Sequence, residues 1–345
     1  MTDILQGHNI QDDPALRPVL LSEFVGQPKA SRLLGVYLES AKSRNEPLDH
    51  TLFFGPPGLG KTTLAQIVAN ELGKSFKSIA APAIKHAGEL ATTLLSLSEG
   101  DVLFLDEIHR LPVHIEEVLY SAMEDFAIDI LSGDGPEAKH IRLPIERFTL
   151  VGATTRSGML SRPLKDRFSI DIKLELYSND DLASVILRSG RLMGLQMTQE
   201  ASEMIACRSR GTPRIANRLL RRVRDFATAG STTTIGPDIA SHALEALGID
   251  DRGLGERERA YIDCLAGRYR NKPTGLKTLS AALGEDSGTI EDEIEPWLLH
   301  AGIIERTSRG RILAHCETSQ QTDGSMSLFD QERTLTTAKK AVTKS

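Results

Sequence analysis

The chain has 345 residues, 40% hydrophobic and 26% charged, with a formal net charge of −6. That balance describes a water-soluble chain with enough length for two or three domains and their cores. No run approaches 18 uninterrupted apolar residues, and residues 1–14 carry no apolar signal segment, so no membrane span or secretion signal is expected and the predicted compartment is cytoplasmic. Cys207, Cys264 and Cys316 are widely separated, without C-x-x-C spacing, which argues against a disulfide framework or a zinc site. The acidic total does not exclude nucleic acid, because such binding depends on local basic patches.

Residues 1–178 alternate strand-like and helix-like segments, the pattern of a parallel α/β sheet. The apolar stretch 51–54 predicts a strand. It runs into Gly55-Pro-Pro-Gly58-Leu-Gly60-Lys61-Thr62-Thr63, which matches the phosphate-loop pattern G-x-x-x-x-G-K-[ST] at every required position. Leu64, Ile67, Val68 and Leu72 then predict a helix stopped by Gly73. In this setting the glycines let backbone N–H groups close on phosphates at a helix N-terminus. Lys61 would neutralise the β- and γ-phosphates of a nucleotide, and the Thr62 hydroxyl would hold Mg²⁺. An ordinary glycine turn is the competing reading, disfavoured by the strand before and the helix after.

A strand at 76–80 and a helix at 89–97 come next. Asp101-Val-Leu-Phe-Leu-Asp106-Glu107 then reads as a buried parallel strand ending in two carboxylates, where ligands bind in open α/β sheets. Asp106 would bind Mg²⁺ directly or through water, and Glu107 would polarise the attacking water. Together with the phosphate loop, this pair predicts a nucleoside triphosphatase. Pro112 suits the first position of a helix carrying Ile115, Val118, Leu119 and Ala122 on one face. A strand at 148–153 ends in Thr154-Thr155-Arg156, and 169–177 alternates strictly, as a strand would.

The segment 126–145 interrupts this rhythm as a hairpin. Ile128 and Ile130 stand on one arm, Ile141, Leu143 and Ile145 on the other, with a glycine-containing bend between them. It either packs on its own domain or offers an apolar docking surface. From 178 to 248 the periodicity is helical with no strand candidate, a small lid. Its Gly211-Thr-Pro-Arg214 run opens a helix on which Arg221, Arg222 and Arg224 read as a solvated face. Residues 250–255 read as a linker. Three helical segments and two strand-like arms around Ser308-Arg309-Gly310 then outline a winged helix, with Trp297, Leu298 and Leu299 in its core. Glu291, Asp292, Glu293 and Glu295 on the third helix oppose insertion into a major groove. Arg306, Arg309 and Arg311 put basic charge on the wing, suited to tracking a backbone without reading bases. The Ser/Thr/Gln/Lys-rich tail predicts disorder.

The expected fold class is therefore α/β, a P-loop core with a parallel sheet, a small helical lid and a terminal winged helix. Expected domains are 1–178 for the ATPase core, 179–249 for the lid, 250–316 for the winged-helix head and 317–345 for the tail.

In this order the motifs resemble the AAA+ ATPases, and within them the RuvB family of bacterial Holliday-junction branch-migration motors. The similarity runs from Leu16 to Arg311, through Leu16-Arg17-Pro18, Phe24-Val25-Gly26-Gln27, the phosphate loop, the carboxylate strand, Gly152-Ala-Thr-Thr-Arg156, Leu164-Lys-Asp-Arg167-Phe168 and Gly211 to Arg218. The resemblance implies Thr155 as a sensor positioning water at the γ-phosphate, and Arg214 as a second sensor on the lid. It implies Arg167 as an arginine finger acting on the neighbouring subunit's nucleotide in a homohexameric ring. Leu16, Arg17 and Tyr177 would frame adenine and ribose; Gly58, Gly60, Thr62, Thr63, Glu124, Asp125 and Phe126 would complete the nucleotide contacts. Arg306 and Arg311 would touch DNA. Ile128 and Ile130 on the hairpin would dock onto RuvA, and a RuvC-type resolvase would be a further partner.

The leading expectation is thus an ATP-driven double-stranded DNA translocase that branch-migrates Holliday junctions in recombination and repair. A loader or switch of the clamp-loader type is the alternative from another class. A protein unfoldase is a third, weakened by the lack of an aromatic pore loop and of a recruiting N-terminal domain.

Overall fold

The computed structural model describes residues 14–132 and 139–314. The ATPase core runs α1 (Pro28–Arg44), β1 (Thr51–Phe54), α2 (Lys61–Leu72), β2 (Phe76–Ala80), α3 (Ala87–Leu95), β3 (Val102–Asp106), α4 (Val113–Glu124), β4 (Ala127–Ser132), β5 (Lys139–Pro144), β6 (Thr149–Thr154), α5 (Arg162–Lys165) and β7 (Ile170–Lys173). Five strands form one sheet in the order β2-β3-β6-β1-β7, with every neighbouring pair parallel. β1, β3 and β6 lie inside it and are buried on both faces, hence the apolar stretches 52–54, 102–105 and 150–153 within them. The register sets Phe54 opposite Thr154 and Ala80 opposite Asp106. The phosphate loop, Asp106 and the end of β6 therefore emerge along one edge of the sheet, where open α/β sheets hold ligands.

The lid consists of α6 (Asn179–Leu192), β8 (Gln196–Met197), α7 (Gln199–Cys207), α8 (Pro213–Ala229), β9 (Thr234–Ile235) and α9 (Pro237–Ala246). Ser178 caps α6 by accepting from the Asp181 N–H, with Asp180 and Asp181 in its first turn. Thr198 caps α7 in the same way. The head contains α10 (Glu256–Asp263), α11 (Leu276–Leu283), α12 (Ser287–Thr289), α13 (Glu295–His300), β10 (Ile304–Thr307) and β11 (Gly310–Leu313). A π-type turn at Ile290–Ile294 joins α12 to α13 as one third helix. β10 and β11 pair antiparallel as the wing.

Three apolar clusters follow this division. One lies between the sheet and α1 and α2, and continues through Leu174 and Tyr177 into the lid. The second packs α3 and α4 on the opposite face of the sheet and includes Ile128 and Phe148. The third is confined to the head, around Tyr261, Leu279, Ile290 and Leu298. Among the described residues no helix is long and apolar enough to cross a membrane.

Several local expectations differ from what is found. β7 stops at Lys173 although the alternation continues to Tyr177, because its neighbour β1 ends at Phe54, whose carbonyl takes a last bond from the Leu174 N–H at 2.8 Å. Tyr177 turns instead to the lid, donating its N–H to Gly211 O at 2.8 Å. Pro112 is the extended residue before α4, with φ −61° and ψ 143°, and not its first helical residue. The lid carries the two-residue parallel pair β8–β9, too short to show a period of two. The segment 250–255 is a tied turn: Asp250 Oδ1 accepts from the N–H groups of Arg252 at 3.0 Å and Leu254 at 2.7 Å. The bend of the hairpin at 133–138 and the tail from 315 lie outside the described residues.

Candidate functional site

The phosphate loop takes its shape from glycines that tolerate positive φ. Gly58 and Gly60 sit at φ 80° and 97°, a region costly for residues with a Cβ. A Cβ on Gly58 would lie 3.0 Å from Cβ of Arg214, and one on Gly60 3.3 Å from the Phe24 ring. The loop is thus closed over by the lid on one side and by the N-terminal segment on the other. α2 starts at Lys61, and the N–H groups of its first turn have no partner within the helix. The buried Lys61 Nζ donates to Gly55 O and Pro56 O, both at 2.8 Å. Burial brings its ammonium down to about 8, opposed chiefly by the nearby Asp106 carboxylate.

Asp106 ends β3 facing this loop, and burial raises its carboxyl above the usual range. Glu107 occupies the left-handed region at φ 52° and ψ 40°, uncommon for a residue with a side chain and a frequent mark of functional turns. Its N–H donates to Asp106 Oδ1 at 3.0 Å, and its Oε2 accepts from Arg110 Nη1 at 3.0 Å. Thr155 lines the same cleft. Its neighbour Thr154 is buried; its hydroxyl meets His109 Nδ1 at 3.0 Å and accepts the Arg156 N–H at 3.0 Å.

Leu16, Arg17, Phe24 and Tyr177 form another wall of the cleft, and Pro213, Arg214, Asn217 and Arg221 of α8 close it. The Tyr177 hydroxyl donates to Leu59 O at 3.3 Å, and burial pushes its phenol well up. Arg221 corrects the sequence expectation: it is buried against the cleft and not solvated. Spacings of three and seven from Arg214 put Asn217 and Arg221 on its helix face, a signal that was there to use. Arg222 and Arg224 do lie at the surface, both paired with Asp225. Arg188 was missed outright; its Nη1 holds Leu16 O at 2.8 Å, and no local motif marks it.

Among the described residues no group of three or more His, Cys, Asp or Glu forms a metal cage. Thr62 and Asp106 offer two oxygens at the phosphate end of the cleft. That donor set fits Mg²⁺, which completes its shell with phosphate oxygens and water.

Arg167, Glu124 and Phe126 do not line this cleft; they gather on a separate face beside His50 and Met123. Arg167 Nη2 pairs with Glu124 Oε2 at 2.9 Å, Nη1 donates to Pro163 O at 2.8 Å, and its guanidinium lies 4.4 Å from the centre of the Tyr120 ring. Tyr120 is fixed in turn by the buried Glu116, which also accepts from Ser161 at 2.6 Å. Asp125 pairs with Arg142 of the hairpin. The residues expected at the nucleotide therefore divide into two sets on one chain.

The hairpin and wing bring two corrections. Ile128 is only 1% exposed and belongs to the core's own apolar cluster, so it is not available for docking. It pairs with Leu143, and Ile130 with Ile141; on this face Ile141 is 42% exposed. The side chain of Ile130 lies outside the described set. On the wing, Arg311 is 14% exposed, held by Glu295 and Glu291 at 2.9 Å each. Its guanidinium is thus largely withdrawn from solvent, contrary to the expectation that it meets phosphate. Arg306, 45% exposed, shares the fully buried Glu295, which also accepts from Tyr261 at 2.9 Å. Arg309 is exposed at the wing tip. Glu291 and Glu295 serve as partners of arginines, a role that charge counting along the helix did not reveal.

Family models cover nearly all of this architecture. That of the Holliday junction DNA helicase RuvB P-loop domain matches residues 16–174, that of the RuvB AAA lid domain 177–250, and that of the RuvB C-terminal winged helix domain 251–317. The solved structure of the RuvB Holliday junction branch migration motor of Thermotoga maritima is 47% identical, with a TM-score of 0.80 over 87% of this chain and 96% of that one. A point variant of the same Thermotoga protein superposes with a TM-score of 0.81 at 48% identity over the same shares of the two chains.

Proposed function

The chain belongs to the RuvB family of Holliday-junction branch-migration motors, and from that membership we propose how its residues divide the work. It is a P-loop ATPase that binds DNA and drives branch migration in recombination and repair; the loader reading gives way to the motor.

Lys61 would leave the Gly55 and Pro56 carbonyls to take the β- and γ-phosphates, while the N–H groups at the start of α2 hold their remaining oxygens. Thr62 and Asp106 would hold Mg²⁺, which when bound supplies positive charge to the phosphates. Glu107 accepts a proton from the attacking water, and Thr155 orients that water. Leu16, Arg17 and Tyr177 frame the base and sugar. Arg214 and Arg221, on α8, report phosphate occupancy to the lid.

One observation carries the assembly proposal: Arg167 stands on a different face from the Lys61 cleft, together with Glu124 and Phe126. A finger so placed serves a neighbouring subunit's nucleotide, and heterologous contacts of this kind close into rings. We take the ring to be a homohexamer acting in the cytoplasm. The exposed Ile141 end of the hairpin would dock on RuvA, and a RuvC-type resolvase would share the junction. Duplex DNA is followed by Arg306 and Arg309 through its phosphates.

Conversion of a synthetic four-way junction to duplex arms, with RuvA and ATP, tests this reading. Conversion should require hydrolysable ATP and be lost in Ile141→Asp, while that variant's basal ATPase remains. Undiminished conversion by Ile141→Asp would remove the hairpin from the partner interface.

A further inference from the structure

A chain of ion pairs crosses from the ATPase core to the wing. Arg156 directly follows Thr155 at the nucleotide cleft, and its backbone N–H is tied to Thr154. Its guanidinium leaves the cleft for the head's third helix, where it binds Asp292 at 2.6 and 3.1 Å and Glu291 at 3.5 Å. Glu291 also holds Arg311 at 2.9 Å; Arg311 holds Glu295 at 2.9 Å; and Glu295 holds Arg306. Every link joins opposite charges; one end, Arg156, follows the proposed γ-phosphate sensor Thr155 in sequence, and the other is a proposed phosphate-tracking arginine.

The head's attachments differ in kind. To the lid it is joined by the buried pair Arg210–Glu258, with Arg210 Nε also donating to Gly253 O at 2.6 Å. Arg210 stands four residues before Arg214, so the lid's nucleotide sensor and the head's anchor share one short segment. To the core, the Arg156 contact is partly exposed, 33% on the Arg156 side and 39% at Asp292. Breaking a buried, hydrogen-bonded pair is far costlier than separating a hydrated one. When the lid turns on the core, the head therefore follows the lid, and Arg156–Asp292 is the link that makes or breaks.

We propose that Arg156 is a positioning residue that couples nucleotide binding at the cleft to DNA binding at the wing, through Asp292 and the Glu291–Arg311–Glu295–Arg306 chain. The inference rests on the motor reading above and adds a route by which its two ligands sense each other. Coupling between two binding sites is reciprocal, so the nucleotide alters duplex affinity by the factor by which duplex alters nucleotide affinity. A partly exposed pair shifts such an equilibrium by up to about fivefold.

The test is duplex affinity of the full chain with and without ATPγS, in the parent, Asp292→Lys, Asp292→Asn and the swap Arg156→Asp/Asp292→Arg. The ratio of the two affinities should fall about threefold to fivefold in both Asp292 variants and recover in the swap, with ATPγS affinity in the absence of DNA unchanged throughout. The affinity ratio is the readout that a merely structural pair would not move, and recovery in the swap shows that the pairing of opposite charges carries it. A ratio equal to the parent's in Asp292→Lys and Asp292→Asn overturns the proposal, as does a parent whose duplex affinity ignores ATPγS. Failure of the motor reading itself would appear elsewhere, as a parent ATPase that duplex DNA does not stimulate.

Discussion

Lys61 gives nucleotide binding a pH dependence that can be worked out from its surroundings. Buried beneath the loop and held by the Gly55 and Pro56 carbonyls, its ammonium has come down to about 8. Against phosphates the charged form is the one that binds, so the nucleotide raises this value and binding takes up a proton wherever Lys61 was neutral. The sign follows: affinity is complete below about pH 8 and is lost as pH rises through it. With a free-state value near 8, the protonated fraction at pH 9 is about one tenth, so ATP should bind about tenfold more weakly at pH 9 than at pH 7, about 1.4 kcal/mol. Calorimetry in buffers of different ionisation enthalpy measures both quantities, and at pH 8.5 about three quarters of a proton should be taken up per nucleotide. The titration is run at saturating Mg²⁺, which keeps the triphosphate ionised across this window. An affinity flat from pH 7 to 9.5, with no proton uptake, would refute the argument and mean that Lys61 is fully charged before the nucleotide arrives.

Four further outcomes follow from the same geometry. Glu107→Gln should keep ATP affinity within about threefold and lower turnover by about 10² to 10⁴ in a steady-state assay, because Lys61, Thr62 and Asp106 are untouched; turnover near the parent's would exclude Glu107 as the base. Ile128→Asp should destabilise the core by about 4 kcal/mol or more in urea unfolding, since it puts a charge into the apolar cluster, whereas Ile141→Asp should change stability by less than about 1 kcal/mol. Arg311→Ala should cost the head about 3 kcal/mol by leaving the buried Glu295 short of a partner. Arg309→Ala should leave stability unchanged and reduce the magnitude of the negative slope of log affinity against log salt by about 0.9 for any duplex sequence; a loss confined to one sequence would indicate base reading.

Much of the fold was legible because its signals are local. The glycines at 55, 58 and 60 and the apolar 102–105 run before Asp106 each fix backbone within a few residues. Changes of periodicity then gave the order of domains, and resemblance the roles of Thr155, Arg167 and Arg214. Less legible was whatever depends on partners distant in sequence. The alternation through Tyr177 reads as a strand, but β1 is too short to pair with it. Ile128 and Ile141 share one face of a hairpin, and only the packing of the core on its proximal end tells which is buried. Glu291, Asp292 and Glu295 look like a repulsive acidic helix until Arg156, Arg306 and Arg311 are brought against them. Arg221 reads as solvated among its neighbouring arginines until its seven-residue spacing from Arg214 sets it on the cleft face.

The account depends most on Arg167 acting across a subunit boundary, and mixing two inactive variants tests that directly. Arg167→Ala retains the phosphate loop, and Lys61→Ala retains the finger. Each alone should turn over ATP about 10³-fold or more below the parent. Mixed in equal amounts under conditions in which labelled subunits are seen to exchange, a ring with independent heterologous interfaces joins an intact loop to an intact finger at about one quarter of its sites. The ATPase of the mixture should then recover to about a quarter of the parent's. Turnover that stays at the level of the separate variants, with exchange demonstrated, would contradict the shared site and return Arg167 to a structural pair with Glu124.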